Sequence, residues 1–281
     1  MSDYVGWAMP TLRRPLPRLC GEIYGVMFNS KPRISNSVMP TRNPRMKIRL
    51  VTLLAIVGSV LTAPASADLP DRLELNYSLQ YGSLTVGTST RTLERQTDGS
   101  YQHALHTKPV GMARMFTSVE WFEQGRFRIV DHQVQPLSYL KYRVGASKSH
   151  RHSVVFDWDK QQIDYSNGNH LPLPPASQDQ GSLLFSLMLN PPTDTQVHTV
   201  HLSSDKKLTA FDYRYVRKEE IETPAGRFNT LVVQWSPHAP SKEIEVFTAW
   251  LAVDKNHIPV KLVTRENNKT ATMLLKSFKG L

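Results

Sequence analysis

Residues 72–81 read Arg-Leu-Glu-Leu-Asn-Tyr-Ser-Leu-Gln-Tyr, and every second side chain is apolar. A period of two means extended backbone with one dry face and one wet face. Leu73, Leu75, Tyr77 and Leu79 are therefore expected to face a core, and Glu74, Asn76 and Ser78 to face away from it. Gly82-Ser83 supplies a turn and Leu84-Thr85-Val86 begins a returning strand, so the first unit is a hairpin. A chain that starts this way must bury one face of a sheet and manage the sheet's edges.

Segments of the same kind follow at short intervals. Strands are expected near 84–94, 100–107, 117–124, 126–131, 137–144, 152–158 and 161–165, then near 197–202, 211–222, 228–235, 243–253, 258–265 and 271–278. Turn residues separate them at Asp98-Gly99, Gln124-Gly125, Asp157 to Asp159, Asn167-Gly168, Pro224 to Gly226 and Asp254 to Asn256. One stretch breaks the alternation. Ser182-Leu183-Leu184-Phe185-Ser186-Leu187-Met188-Leu189 is apolar on most sides, with Asp179 placed to cap its start and Pro191-Pro192 to stop it. The fold class expected is mainly β: an antiparallel curled sheet or open half-barrel, with this short helix packed in or against its concave face.

The N-terminal quarter has a different character. Met46-Lys47-Ile48-Arg49 is basic, residues 50–62 are almost wholly apolar, and Ala65-Ser66-Ala67 has the small residues of a cleavage site. These are the parts of a secretory signal peptide, cut between Ala67 and Asp68, and the apolar run is too short to span a bilayer. The expected organisation is an N-terminal extension over 1–45, mis-assigned or disordered, a signal peptide over 46–67, and a single periplasmic β-domain over 68–281. Residues 1–67 hold nine of the 34 Lys and Arg and two of the 24 Asp and Glu, so the remainder carries 25 − 22 = +3 rather than +10. Nucleic-acid binding thereby loses its electrostatic support. The single cysteine, Cys20, also lies in the leader. Residues 68–281 are expected to have no disulfide, no thiol nucleophile, no Cys-ligated metal, no lipoprotein anchor and no transmembrane segment.

Motifs that carry chemistry are scarce. There is no G-x-S-x-G elbow, no H-E-x-x-H, no phosphate-cradling glycine loop and no S-x-x-K. No catalytic residue, cofactor or metal is assigned. His150 and His152 have strand spacing and would share a face, but Lys148 and Arg151 repel a cation, so they read as surface histidines. His103/His106 and His198/His201, spaced by three, point to opposite faces. Lys141, Arg143, Lys148 and Arg151 form a basic stretch that reads first as a solvated strand face, and second as a contact for an anionic headgroup. Trp121-Phe122 and Phe156-Asp157-Trp158 read as core aromatics.

Several short segments recur in a familiar order. They are Tyr81-Gly82-Ser83-Leu84-Thr85-Val86-Gly87, Gln135-Pro136-Leu137-Ser138-Tyr139, Phe156-Asp157-Trp158, the apolar helix after Asp179, Thr223-Pro224-Ala225-Gly226-Arg227-Phe228, and Trp250-Leu251-Ala252-Val253-Asp254 with Ile258-Pro259-Val260. In that order they resemble the exported bacterial domain of unknown function 3108, over most of 72–278. The resemblance implies a single periplasmic β-domain, curled into an open barrel around a helix as in lipoprotein carriers. It implies no catalytic residues.

The expected function follows from export, the β-domain and the missing catalytic motifs. It is a non-enzymatic periplasmic protein that binds an apolar or lipid-like ligand, or an envelope component. Candidate ligand-binding residues are Leu184 on the helix and Lys141, Arg143 and Arg151 on the basic stretch. An envelope hydrolase with an unrecognised site, and a structural or assembly factor with a filled core, stay open as alternatives.

Overall fold

The computed structural model describes residues 68–146, 150–204, 207–239, 246–266 and 269–281. The extension 1–45, the signal segment 46–67 and Lys148 lie outside the described residues.

Fifteen strands among the described residues form one sheet. The first eight are β1 (Arg72–Tyr81), β2 (Leu84–Arg95), β3 (Tyr101–Pro109), β4 (Glu120–Val130), β5 (Gln133–Val144), β6 (His150–Asp157), β7 (Gln162–Tyr165) and β8 (His170–Pro172). The short β9 (Ser177–Gln178) leads into the helix α1 (Ser182–Leu189). Then come β10 (His198–Ser204), β11 (Lys207–Thr223), β12 (Gly226–Pro237), β13 (Val246–Ala252), β14 (Pro259–Glu266) and β15 (Lys269–Lys279). Beginning with β8, the order across the sheet runs down to β1, then from β15 down to β9. Neighbouring strands pair antiparallel, except β9 and β10, which are separated in the chain by α1 and pair parallel.

Strand β1 lies in the middle of the sheet, against β2 on one side and β15 on the other. Leu73, Leu75, Tyr77 and Leu79 are all buried, as the alternation requires. Ser78 faces the other way but is not wet: it is buried, and its Oγ donates to Leu274 O at 3.4 Å. Strand β4 corrects the sequence reading. It runs unbroken through Gln124-Gly125, where a turn is expected. Gly125 is there because the His103 ring lies where its Cβ would be.

The sheet is curled and open. Its two flanks approach through side chains rather than a backbone ladder. Gln178 Nε2 donates to Val134 O on β5 at 2.7 Å, and Ser203 Oγ on β10 donates to the Tyr165 hydroxyl on β7 at 3.1 Å. Helix α1 fills the concave side, and its apolar circumference explains why. Phe185, Met188 and Leu189 pack with Leu75, Tyr101 and Phe127, whereas Leu183, Leu184 and Leu187 pack with Val200, Phe211, Val233 and Leu251. A helix enclosed on both sides needs no polar face. A third cluster joins Tyr139, Val154, Phe156, Ile163 and Tyr165 beneath the far flank. Ile163→Val, at a fully buried position on β7, should cost about 0.5–1.5 kcal/mol in urea melts if this flank folds with the rest.

Candidate functional site

Antiparallel register sets side chains of neighbouring strands in rows. One row on the concave face reads Leu75, Arg91, Leu105, Glu123, Lys141 and His152, from β1 to β6. The next reads Leu93, His103, Gly125, Tyr139 and Val154. Arg91, His103, Glu123, Lys141 and His152 are therefore buried beside α1 rather than turned to solvent. The loop entering α1 adds Asp179 and Gln180 to the same place.

Asp179 holds the helix start. Its Oδ1 accepts from Gly181 N and Ser182 N at 2.8 Å each, and its own N donates to Ser182 Oγ at 2.9 Å. These bonds satisfy donors that the helix leaves open. Asp179 Oδ2 stays buried with no hydrogen-bond partner among the described residues. The His103 ring lies between Gly125 and Gly181, and a Cβ on either glycine would overlap it. Its Nε2 is 3.7 Å from Asp179 Oδ1, and neither ring nitrogen has a hydrogen-bond partner among the described residues. Burial pushes the His103 imidazole down to about 3, with the Arg91 charge adding to the effect. Burial pushes the Asp179 carboxyl up to about 6 against its stabilising hydrogen bonds. Burial, then the Glu123 and Asp179 charges, hold the Tyr139 phenol protonated well above its ordinary range. Its hydroxyl senses Glu123 without reaching hydrogen-bond geometry.

These two shifts oppose each other. Between about pH 4 and 6 the unfolded chain has His103 charged and Asp179 ionised, while the folded chain has both neutral. His103 alone favours folding above its ordinary pKa and loses that contribution as pH falls. Asp179 alone favours folding at low pH and loses that contribution as pH rises toward 6. Folding moves one proton from one group to the other, so the pair gives no net slope. Asp179→Asn removes the second term. Stability of that variant should then fall about 1.4 kcal/mol per pH unit more steeply than the parent's between pH 6 and 4. Urea melts at three pH values test this, and parallel profiles would refute it.

Arg91 is a poorly compensated buried charge. Its row neighbours are Leu75 and Leu105, and its Cζ sits 6.0 Å from the Phe185 ring centre. Nε and Nη1 are buried without a hydrogen-bond partner among the described residues. Glu123 Oε1 is likewise buried and unpartnered there. Lys141 differs: it is buried, but Nζ donates to Gln180 Oε1 at 3.2 Å and lies 5.5 Å from the Trp121 ring centre. Above Arg91 and Glu123 is a cavity of about 100 Å³, partly open to solvent. Its charged lining is Arg91 and Glu123, with Gln180, Ser203, Ser204 and Thr248 as further polar groups, and Leu184, Leu202, Phe211, Trp235 and Phe247 are among its apolar walls.

The sequence candidates separate accordingly. Leu184 lines the cavity, and Lys141 stands beside it through Gln180. Arg143 is on the same face one row further out, with Cζ 5.6 Å from the Trp121 ring centre. Arg151 is on the opposite face, where His106, Phe122 and Tyr142 stack at 4.3 and 5.0 Å and Arg151 Cζ caps the Tyr142 ring at 5.5 Å. Register decides this, because Arg151 pairs with Tyr142 and not with Lys141. His152 is buried, which corrects its reading as a surface histidine. Arg91 and Glu123 escaped the sequence reading. A usable signal was present: in one continuous strand, Trp121 and Phe127 share a face with Glu123.

A larger groove of about 600 Å³ lies on the other face of β13 to β15. Two of its cations have partners: Arg217 pairs with Glu219 at 2.9 Å, and Lys261 caps the Trp250 ring at 4.4 Å. Among the described residues no three His, Cys, Asp or Glu side chains group as a metal site would require. No helix there is long and apolar enough to cross a membrane.

One solved structure shares the architecture. A β-barrel-like protein of the DUF1849 domain from Brucella abortus aligns with a TM-score of 0.51 at 9% identity, covering 75% of this chain and 98% of its own. A protein from Bacteroides fragilis, provisionally described as exported and with a YmcC-like fold, aligns at 8% identity. That alignment covers 75% and 97% of the two chains, with a TM-score of 0.32. No curated protein matches the chain. The family model described as "Protein of unknown function (DUF3108)" matches residues 76–276, the span that contains β2 to β14, α1 and every buried charge described above, so the chain belongs to the DUF3108 family.

Proposed function

We propose that this chain is an exported envelope protein whose β-domain binds an apolar or lipid-like ligand between α1 and the concave sheet. The observation that carries this reading is the apolar cavity walled by Leu184, Leu202, Phe211, Trp235 and Phe247. Apolar pockets with a few polar groups suit amphipathic ligands. The void equals roughly three waters' share of liquid volume, enough for about three or four methylenes. At about 0.8 kcal/mol each, these supply roughly 3 kcal/mol of gross drive. Micromolar binding needs about 8 kcal/mol, so the polar groups must contribute.

Titration of delipidated protein with a fluorescent fatty acid tests the reading. Saturable binding on the order of micromolar is expected. Leu184→Glu should weaken it at least about tenfold by placing a charge in the apolar wall, with the circular dichroism spectrum unchanged. No saturable binding by the native protein would leave the assembly role instead. Export is part of the same proposal: intact mass of the envelope fraction should correspond to a chain beginning at Asp68. Retention of residues 50–62 would count against it.

A further inference from the structure

A buried guanidinium without a counter-ion is costly to fold, because the charge leaves water and recovers nothing. Arg91 is 5% exposed and flanked in its row by Leu75 and Leu105. Tyr77, His103 and Tyr139 sense its charge. Burial holds all three neutral. Glu123, the nearest carboxylate along the row, lies beyond Leu105 on the next strand and forms no ion pair with Arg91 among the described residues. Arg91 nevertheless lines the cavity, together with its leucine and aromatic walls.

We propose that Arg91 is the headgroup-recognition residue of this cavity, and that the ligand is an amphipathic acid whose anion pairs with the guanidinium while its apolar segment enters the wall of α1. The inference rests on the proposed ligand-binding reading and specifies the ligand's class. It supplies the polar contribution that three or four buried methylenes leave missing. Charge-assisted hydrogen bonds to a guanidinium are among the strongest that a pocket can offer. Arg91 and Lys141, the latter held beside the cavity on Gln180, set two positive charges against Glu123, so one added negative charge brings the group to neutral, which favours a monoanion over a dianion.

Calorimetric titration with hexanoate, hexyl phosphate, hexanol and hexylammonium, on delipidated native protein and on Arg91→Gln, decides the matter. Hexanoate is expected to bind at least about tenfold more tightly than hexanol or hexylammonium. In Arg91→Gln, hexanoate should fall to the level of hexanol, while hexanol is unchanged. The ranking of hexanoate against hexyl phosphate tells a carboxylate source from a phosphate source. Equal binding of hexanoate and hexanol by native protein would overturn the role of Arg91 and leave apolar binding standing. Binding of none of the four would overturn both. The native ranking stands even if the variant folds poorly. The unliganded Arg91→Gln protein should melt at a higher temperature than the native one, since it buries no unpaired charge. A lower melting temperature with unchanged acid preference would mean that Arg91 is structural.

Discussion

Phe185→Ala should lower the free energy of unfolding by about 3–5 kcal/mol, the largest loss expected from any single side chain considered for this fold. Phe185 is fully buried at the centre of α1, the one helix that fills the concave sheet. Its ring stands 5.5 Å from Phe127 and 5.4 Å from His103, with the Arg91 guanidinium 6.0 Å away. It thus joins β2, β3 and β4 to the helix. Truncation removes its transfer energy and leaves a void that neighbouring strands, tied by ladder hydrogen bonds, cannot close. Urea melts monitored by tryptophan fluorescence measure the effect. A loss under about 1 kcal/mol would mean that α1 contributes little to the folded core.

Gly125→Ala should cost about 3 kcal/mol, at the upper end for overpacking, although it adds a single methyl group. The new Cβ would overlap the His103 ring, and the ring cannot retreat because Gly181 closes its other side equally tightly. The slot is therefore a three-residue device in which two glycines make room for one imidazole. In the background of His103→Ala the same substitution should cost under about 1 kcal/mol, giving a coupling energy of about 2 kcal/mol. Additive effects of the two substitutions would show that the ring can move aside. Gly181→Ala should behave in the same way, with an added effect on the helix start that Asp179 caps.

The architecture was largely legible in the chain. Alternation in β1 placed Leu73, Leu75, Tyr77 and Leu79 correctly, because period two is a property of each strand alone. The helix over 182–189 was equally plain, since an apolar run between Asp179 and two prolines has few other outcomes. Gly125 misled because glycine marks a turn and also a close approach, and only the position of His103 tells the two apart. Ser78 likewise has a non-local partner: its Oγ donates to Leu274 O on the neighbouring strand β15.

Local sequence thus determined that the chain makes paired strands, where most of them turn, and that one apolar helix interrupts them. These are consequences of side-chain spacing over fewer than about ten residues. Tertiary structure alone decided which charges meet. Lys141 and Arg151 belong to one basic stretch, yet register sends Lys141 inward beside Gln180 and Arg151 outward onto Tyr142. Arg91, Glu123 and Gln180 come from three separate segments: register sets Arg91 and Glu123 in one row, and the packing of α1 on that face brings Gln180 to the same cavity. Burial of a charge depends on what covers it, and the covering residues here lie tens of positions away. The spacing within any one strand therefore carries no record of it.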